Sequence, residues 1–414
     1  MKFTLLVLTI GLFTGIIAFS QTIARITVQA GNYTRLNTPV YIDITNLTFL
    51  NDTDLYLSET KGKSTIPVPC QIEDGHQRLL WWILSGKTES GTVRIFELKK
   101  GKSNYKVSGI NYMMKDGALL ITKENRNILQ YNYETRYPPA GVDTAYRRSG
   151  FIHPLWSPSG NVLTNIQPAD HYHHYGIWHP WTKTSFEGEH IDFWNLKMRL
   201  GTIRYDGFIA NMQGSVFTGF KAHQVHVAHP DTITAKKALN EILDVRVYNI
   251  ADNYRLIDYT ITQSCASSSP LTVEEYRYQG FGFRANADWT KENAHYLTSE
   301  GKTRKDADNT RARWCIVSGE STYGRSGIIF ISNPANYNSP EPIRIWDETQ
   351  NNGRGDVFFN FCPTKTTNWN MIPGKEYTLK YRMLVFDGET SKEAAEQAFV
   401  DFAYPPAIII EKLK

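Results

Sequence analysis

Short runs in which apolar and polar residues alternate recur along almost the whole chain, punctuated by Gly, Asn and Asp, while helical periodicity is almost absent. A period of two suits a pleated strand with one face buried, so the chain is expected to be all-β. From Ala24 to about Leu98 there are six such runs: Arg25 to Gln29, Pro39 to Ile44, Asp54 to Glu59, Ile66 to Ile72, Leu79 to Leu84 and Thr92 to Leu98. Six short strands at this spacing predict a small β-sandwich over residues 22–104. The polar stretch Lys99-Lys100-Gly101-Lys102-Ser103-Asn104 reads as a linker, and residues 105–414 as a larger β-sheet domain with strands at 241–248, 254–263, 326–332 and 377–386. One short C-terminal helix is expected where Thr390 to Glu393 forms a capping box, Ala394, Ala395, Ala398 and Phe399 follow, and Pro405-Pro406 stops it. A length of 414 residues exceeds what one core usually organises, in keeping with two domains.

The first twenty residues read differently. Lys2 precedes an apolar stretch from Phe3 to Phe19 without a charge, and Ala18 and Ser20 supply the small residues that a signal peptidase needs, so a signal peptide over 1–20 and a secreted or periplasmic mature protein are expected. The run is short for a retained membrane span. Forty-five basic and 41 acidic residues are scattered rather than gathered into runs, which argues against nucleic acid as a partner. Cys70, Cys265, Cys315 and Cys362 show no C-x-x-C spacing, so a zinc finger is excluded, and both paired and free thiols remain open. Aromatic residues make up 13% of the chain, a composition that suits strands and any surface holding an amphipathic ligand such as a sugar.

The chemistry is expected between His153 and Trp194, which hold six of the 11 histidines and four of the 10 tryptophans. The core of this segment runs Asp170-His171-Tyr172-His173-His174-Tyr175-Gly176-Ile177-Trp178-His179-Pro180-Trp181, and Asp192-Phe193-Trp194 follows. Imidazoles beside carboxylates supply proton donors and acceptors near neutral pH, and the same set can ligate a divalent metal. No helical frame such as H-E-x-x-H fixes a metal site. In an extended strand His171 and His173 would face one way and Asp170 and His174 the other, so a shared site requires a bend, which Gly176 and Pro180 permit. His171, His173, His174 and Asp170 are the catalytic candidates. His153, Trp178, Trp181, Asp192 and Trp194 are candidates for holding the substrate.

A second group is Glu274-Glu275-Tyr276-Arg277-Tyr278-Gln279-Gly280-Phe281-Gly282-Phe283-Arg284, where strand alternation would put Glu275, Arg277 and Gln279 on one face. Glu275 is a candidate base, and Arg277 and Arg284 are candidates for substrate contact. Arg344-Ile345-Trp346-Asp347 reads as a strand edge able to touch a ligand.

Tyr137-Pro138-Pro139-Ala140-Gly141-Val142-Asp143, Arg147 to Gly160 with His153-Pro154 and Ser157-Pro158-Ser159-Gly160, the histidine core and Asp192-Phe193-Trp194 together resemble the bacterial PmoA-like family of unknown function over most of residues 106–390. That label borrows the name of a multi-span methane monooxygenase subunit, whose spans this sequence lacks. The resemblance implies a β-supersandwich similar to galactose mutarotases and to several polysaccharide lyases and hydrolases. Mutarotases use a histidine as acid and a glutamate as base, which implies His171, His173 or His174 opposite Glu275 or Asp170. Pro67-Val68-Pro69-Cys70-Gln71 with Leu79 to Leu84 resembles the N-terminal β-domain of exo-acting rhamnogalacturonan lyases. The expected activity is cleavage or isomerisation of a glycan fragment by imidazole and carboxylate, without a cofactor. The alternatives are a metal-dependent enzyme and a glycan-binding protein without catalysis.

Overall fold

The computed structural model describes residues 21–102, 109–250 and 253–413. The expected signal peptide and the expected domain boundary at 104/105 lie outside the described residues. The fold is all-β and sandwich-like, as the period-two pattern predicts.

Thr22–Gln29, Leu55–Lys61, Ser64–Val68, Val93–Lys100 and Ala407–Lys412 form a five-stranded sheet. Arg35–Asp43, Cys70–Glu73 and Leu79–Thr88 form a three-stranded one. Alternate residues of both, among them Ile26, Ile42, Leu57, Trp82 and Phe96, meet in one apolar cluster. The single strand expected from Ile66 to Ile72 is two strands. Pro69 has no N–H to give a ladder, and the halves on either side pair with different sheets.

Two eight-stranded antiparallel sheets make the larger body. The first runs, in spatial order, Ile343–Ile345, Phe358–Phe361, Phe281–Arg284, Ile177–Trp178, Phe151–Leu155, Arg126–Asn132, Ala118–Lys123 and Ile110–Lys115. The second includes the long strands Gly201–Gln213, Phe217–Ala228, Lys236–Tyr248, Tyr254–Cys265 and Tyr377–Asp387. The largest core cluster draws side chains from both, such as Ile177, Phe283 and Phe359 on one and Leu243, Tyr259 and Val385 on the other. A four-stranded sheet that includes Leu271–Val273 adds Leu271 and Val273 to this cluster.

The expected C-terminal helix spans Lys392–Ala403, with Ser391 rather than Thr390 as its cap, accepting from the Ala394 N–H at 3.2 Å. It buries Ala395, Ala398 and Phe399 against Trp314, Ile329 and Ile331, while its Asp401 accepts from Thr38 at 2.9 Å. Glu73 on the three-stranded sheet pairs with Arg246 at 2.9 Å and Lys221 at 2.6 Å on the large second sheet. The four cysteines are free thiols. No helix among the described residues is long and apolar enough to cross a membrane.

Candidate functional site

Alternation also builds the outer face of the first large sheet. Phe281 and Phe283, Phe359 and Phe361, and Ile343 and Ile345 point into the core. Their neighbours in sequence therefore face outward, and Trp178, Trp346 and Phe358 gather there with Phe151, Tyr175 and Trp194 in a separate aromatic cluster. A Cβ at Gly282 would sit 3.0 Å from the Trp194 ring and 3.4 Å from Trp178, so glycine leaves the room in which those two indoles pack at 4.9 Å.

Over this floor lies the histidine segment, which is a loop of two successive turns rather than an extended strand. His171 N–H donates to the Pro168 carbonyl at 2.8 Å and His174 N–H to the His171 carbonyl at 3.0 Å, while Gln167 N–H closes the loop onto the His174 carbonyl at 2.8 Å. Gly176 ends it at φ +63°, where a Cβ would lie 2.3 Å from the Ile152 carbonyl oxygen, so only glycine fits. The turns undo the strand alternation expected here and bring His171, His173 and His174 together. One ring nitrogen of each lies within 4.8 Å of the others, and His171 and His174 stack at 4.7 Å.

Asp170 sits behind this trio. It accepts from His171 Nδ1 at 2.7 Å and from Arg284 Nη2 at 3.1 Å. Burial pushes the Asp170 carboxyl upward, but the His171 hydrogen bond and the Arg284 charge outweigh it and hold the group down at about 2. The ionised carboxylate fixes the proton on Nδ1 and leaves His171 Nε2 as the free lone pair. Burial, and then the neighbouring His171, lower His173 to about 3. Burial also takes His174 well below the ordinary imidazole value, with His173 and Arg284 adding to it. Both rings are neutral near pH 7, suited to accept a hydrogen bond or bind a metal rather than to donate the acid proton expected of them.

The histidines open into a pocket of about 280 Å³ whose other walls include Trp194, Arg277, Tyr278, Arg344, Trp346 and Phe358. Trp346 packs on His171 at 4.7 Å and under the Arg284 guanidinium at 4.9 Å. Arg284 is buried and also donates to Asp356 at 2.5 Å.

Several expected site residues lie elsewhere. Glu275 is exposed and does not line the pocket; its segment is irregular chain, and its N–H donates to Asn368 at 2.7 Å. Gln279, expected beside it, is buried and accepts from the Thr182 and Lys183 N–H groups at 3.1 and 3.0 Å. Trp178, Trp181 and Trp194 present no exposed face, each being 0% accessible. Trp181 belongs to the main core and donates to Gln263 at 3.0 Å. Trp178 is floor, and Trp194 alone of the three reaches the pocket wall. Asp192 accepts from the Trp194 and Asn195 N–H groups at 2.8 and 2.9 Å and so shapes the turn that presents Trp194. His153 hydrogen-bonds Thr164 at 2.9 Å, and burial lowers it to about 4. Arg344 and Trp346 line the pocket as the strand-edge reading expected. Sequence reasoning passed over Phe358 and Asp356, although the alternation of Phe358-Phe359-Asn360-Phe361 signals two faces.

A family match covers residues 118–400, more than half of the chain, histidine loop and pocket included. The chain belongs to the family of unknown function DUF6807. No curated protein matches the sequence. Among solved structures, this DUF6807 chain is similar to a heparinase III gene product at 9% identity and a TM-score of 0.31, over 72% of its own length and 38% of that chain. It is also similar to a mutant of the heparan sulfate lyase HepC from Pedobacter heparinus at 10% identity and a TM-score of 0.29, over 70% and 38%. The chain thus spans 38% of the length of either structure.

Proposed function

We propose that the protein is an exported carbohydrate-active enzyme that cleaves or isomerises a glycan fragment in the histidine pocket. The observation that carries this reading is the Asp170–His171 pair, at 2.7 Å, held beside two further imidazoles at a pocket walled by indole, phenol and guanidinium groups. A sugar ring has an apolar C–H surface and a fringe of hydroxyls, and Trp346 and Tyr278 beside Arg277 and Arg344 complement both. His171 Nε2 would take the proton, and Asp170 would steady the imidazolium that forms. Hydrolysis and β-elimination differ in whether that proton leaves a water or a carbon, and in either the His171 imidazolium would return the proton to the departing glycosidic oxygen as that bond breaks. The resemblance of the N-terminal strands to exo-acting rhamnogalacturonan lyases and of the motifs to mutarotase-type sandwiches supports a glycan substrate, and Lys2 with the stretch Phe3 to Phe19 supports export.

The test is product formation from a glycan panel, followed as new reducing ends and as the absorbance of an unsaturated sugar. His171→Ala is expected to lower turnover by at least about a hundredfold. Unchanged turnover would exclude the reading, and tight binding without product on long incubation would leave a glycan-binding protein.

A second reading is favoured by the three ring nitrogens within 4.8 Å of one another. Three imidazoles with one further open position are a common frame for a catalytic divalent metal, and Asp170 behind His171 is the outer carboxylate such sites use to orient a ligand. The elemental metal content of protein purified without a metal-binding tag decides it. A stoichiometric transition metal whose removal abolishes turnover supports this reading, and a metal-free active protein excludes it.

A further inference from the structure

We infer that the glycan taken by this pocket carries an anionic substituent, a carboxylate or a sulfate, which the Arg277 guanidinium receives. The inference rests on the glycan reading of the pocket and adds the charge of the substrate. Its ground is an imbalance in the lining. Arg277 and Arg344 face the pocket, and among the described residues no Asp or Glu side chain lines it. The cations around it have acidic partners: Arg344 Nη1 is on Asp308 at 2.7 Å, Arg284 on Asp170 and Asp356, and Arg354 on Asp356 at 2.8 Å. The Arg277 guanidinium has no hydrogen bond or ion pair among the described residues, and it is held over the Tyr278 ring at 5.4 Å and the Tyr276 ring at 5.9 Å.

An arginine held against aromatic faces keeps its fork of N–H donors in one plane, the arrangement that takes a planar or tetrahedral oxyanion through two parallel bonds. Tyr278 is itself fixed, donating to Asn195 at 3.0 Å, so the platform is set before a ligand arrives. A neutral sugar laid on Trp346 offers this guanidinium only neutral hydroxyl acceptors, whose hydrogen bonds are about half as strong as those of an oxyanion. An anionic group replaces them and adds charge attraction, with Arg344 available across the pocket.

The experiment is equilibrium binding of three oligosaccharide sets to the full chain: oligogalacturonides and glucuronate-bearing xylo-oligosaccharides, sulfated galacto-oligosaccharides, and neutral xylo- and galacto-oligosaccharides. At least one acidic set is expected to bind tenfold or more tighter than its neutral counterpart, with affinity falling as salt rises. Arg277→Gln should remove that preference, and Arg277→Lys should keep part of it. Arg277 is exposed, so both variants should melt as the parent does. Preference for the uronate set assigns the anion as a carboxylate, and preference for the sulfated set as a sulfate ester. Equal binding of neutral and acidic sets, unchanged in Arg277→Gln, overturns the inference and leaves the glycan reading standing. Binding of none of the sets overturns both.

Discussion

Asp170 engages both His171, through Oδ2, and Arg284, through both oxygens, and this double engagement separates its chemical role from its structural one. Arg284 would keep Asp356 at 2.5 Å if Asp170 lost its charge, so no buried cation would be stranded. Asp170→Asn is therefore expected to leave the melting temperature nearly unchanged while lowering turnover by roughly 10–100-fold, the usual cost of removing the carboxylate behind a working imidazole. Turnover and a thermal melt on the same preparation check it, and a melt that falls with unchanged turnover would assign Asp170 to the fold alone. The tryptophans divide in the same way. Trp181→Ala opens the main core and should cost about 3–5 kcal/mol of stability. Trp346→Ala removes an edge of the pocket and should weaken glycan binding with a smaller loss of stability. Denaturant titration beside a binding curve for both variants decides between these assignments.

The strands were legible in the sequence because burial of one sheet face leaves a period of two that any reader can find, as in Glu241 to Tyr248 and Tyr377 to Phe386. The histidine cluster was legible as composition, and its geometry was not. Whether His171 and His174 face together depends on two turn hydrogen bonds and on the Ile152 carbonyl beside Gly176, a contact set by a strand some twenty residues earlier. The burial of Trp181 and the exposure of Glu275 likewise depend on which sheet lies across them, which a local pattern does not carry. Glu341 shows the same principle at the level of neighbouring strands. It straps the loop after Gly324–Ser332 to the sheet, accepting from Ser332 at 2.6 Å, Asn336 at 2.8 Å and Tyr381 at 3.1 Å. Burial outweighs these three donors and raises its carboxyl from 4.5 to about 7. The folded chain then holds this proton to a higher pH than the unfolded one, so its contribution is complete below about 4.5 and is lost as pH rises to about 7, a difference of roughly 3 kcal/mol. Glu341→Gln removes that titration. The parent's melting temperature should fall relative to the variant's between pH 5 and 8, and parallel curves would refute the assignment.

Glu73 is the charged centre of the seam between the two sandwiches, beside which Trp81 and Ile83 pack against Val216, Phe217, Tyr248 and Leu256. It takes Lys221 and Arg246 from the large sheet and the Trp81 indole N–H at 2.9 Å from its own, while Arg246 lies over Trp81 at 4.7 Å. Burial pushes Glu73 upward, but Arg246 and Lys221 outweigh it and leave the carboxyl below its ordinary value. The sign is opposite to that of Glu341: this contribution is present above about 4.5 and disappears as acid protonates Glu73 in the folded state. Glu73→Ala strands two cations against Asp244 alone, a loss of roughly 3 kcal/mol by analogy with broken buried pairs. The seam also includes the Val216 and Phe217 N–H groups, which donate to Gln71 at 3.1 and 3.0 Å, the helix Lys392–Ala403, which touches Thr38 through Asp401, and the strand Ala407–Lys412 in the small sandwich. The apolar cluster of Trp81 and Ile83 with Phe217, Tyr248 and Leu256 keeps the sandwiches coupled, so calorimetry of Glu73→Ala at neutral pH should show one transition at a lower temperature than the parent's. Acidifying the parent below the Glu73 titration should narrow the gap between its melting temperature and that of Glu73→Ala. The histidine pocket draws no described residue from the small sandwich, so turnover at neutral pH should survive the substitution; an unshifted transition in the variant would show that Glu73 adds nothing to the seam.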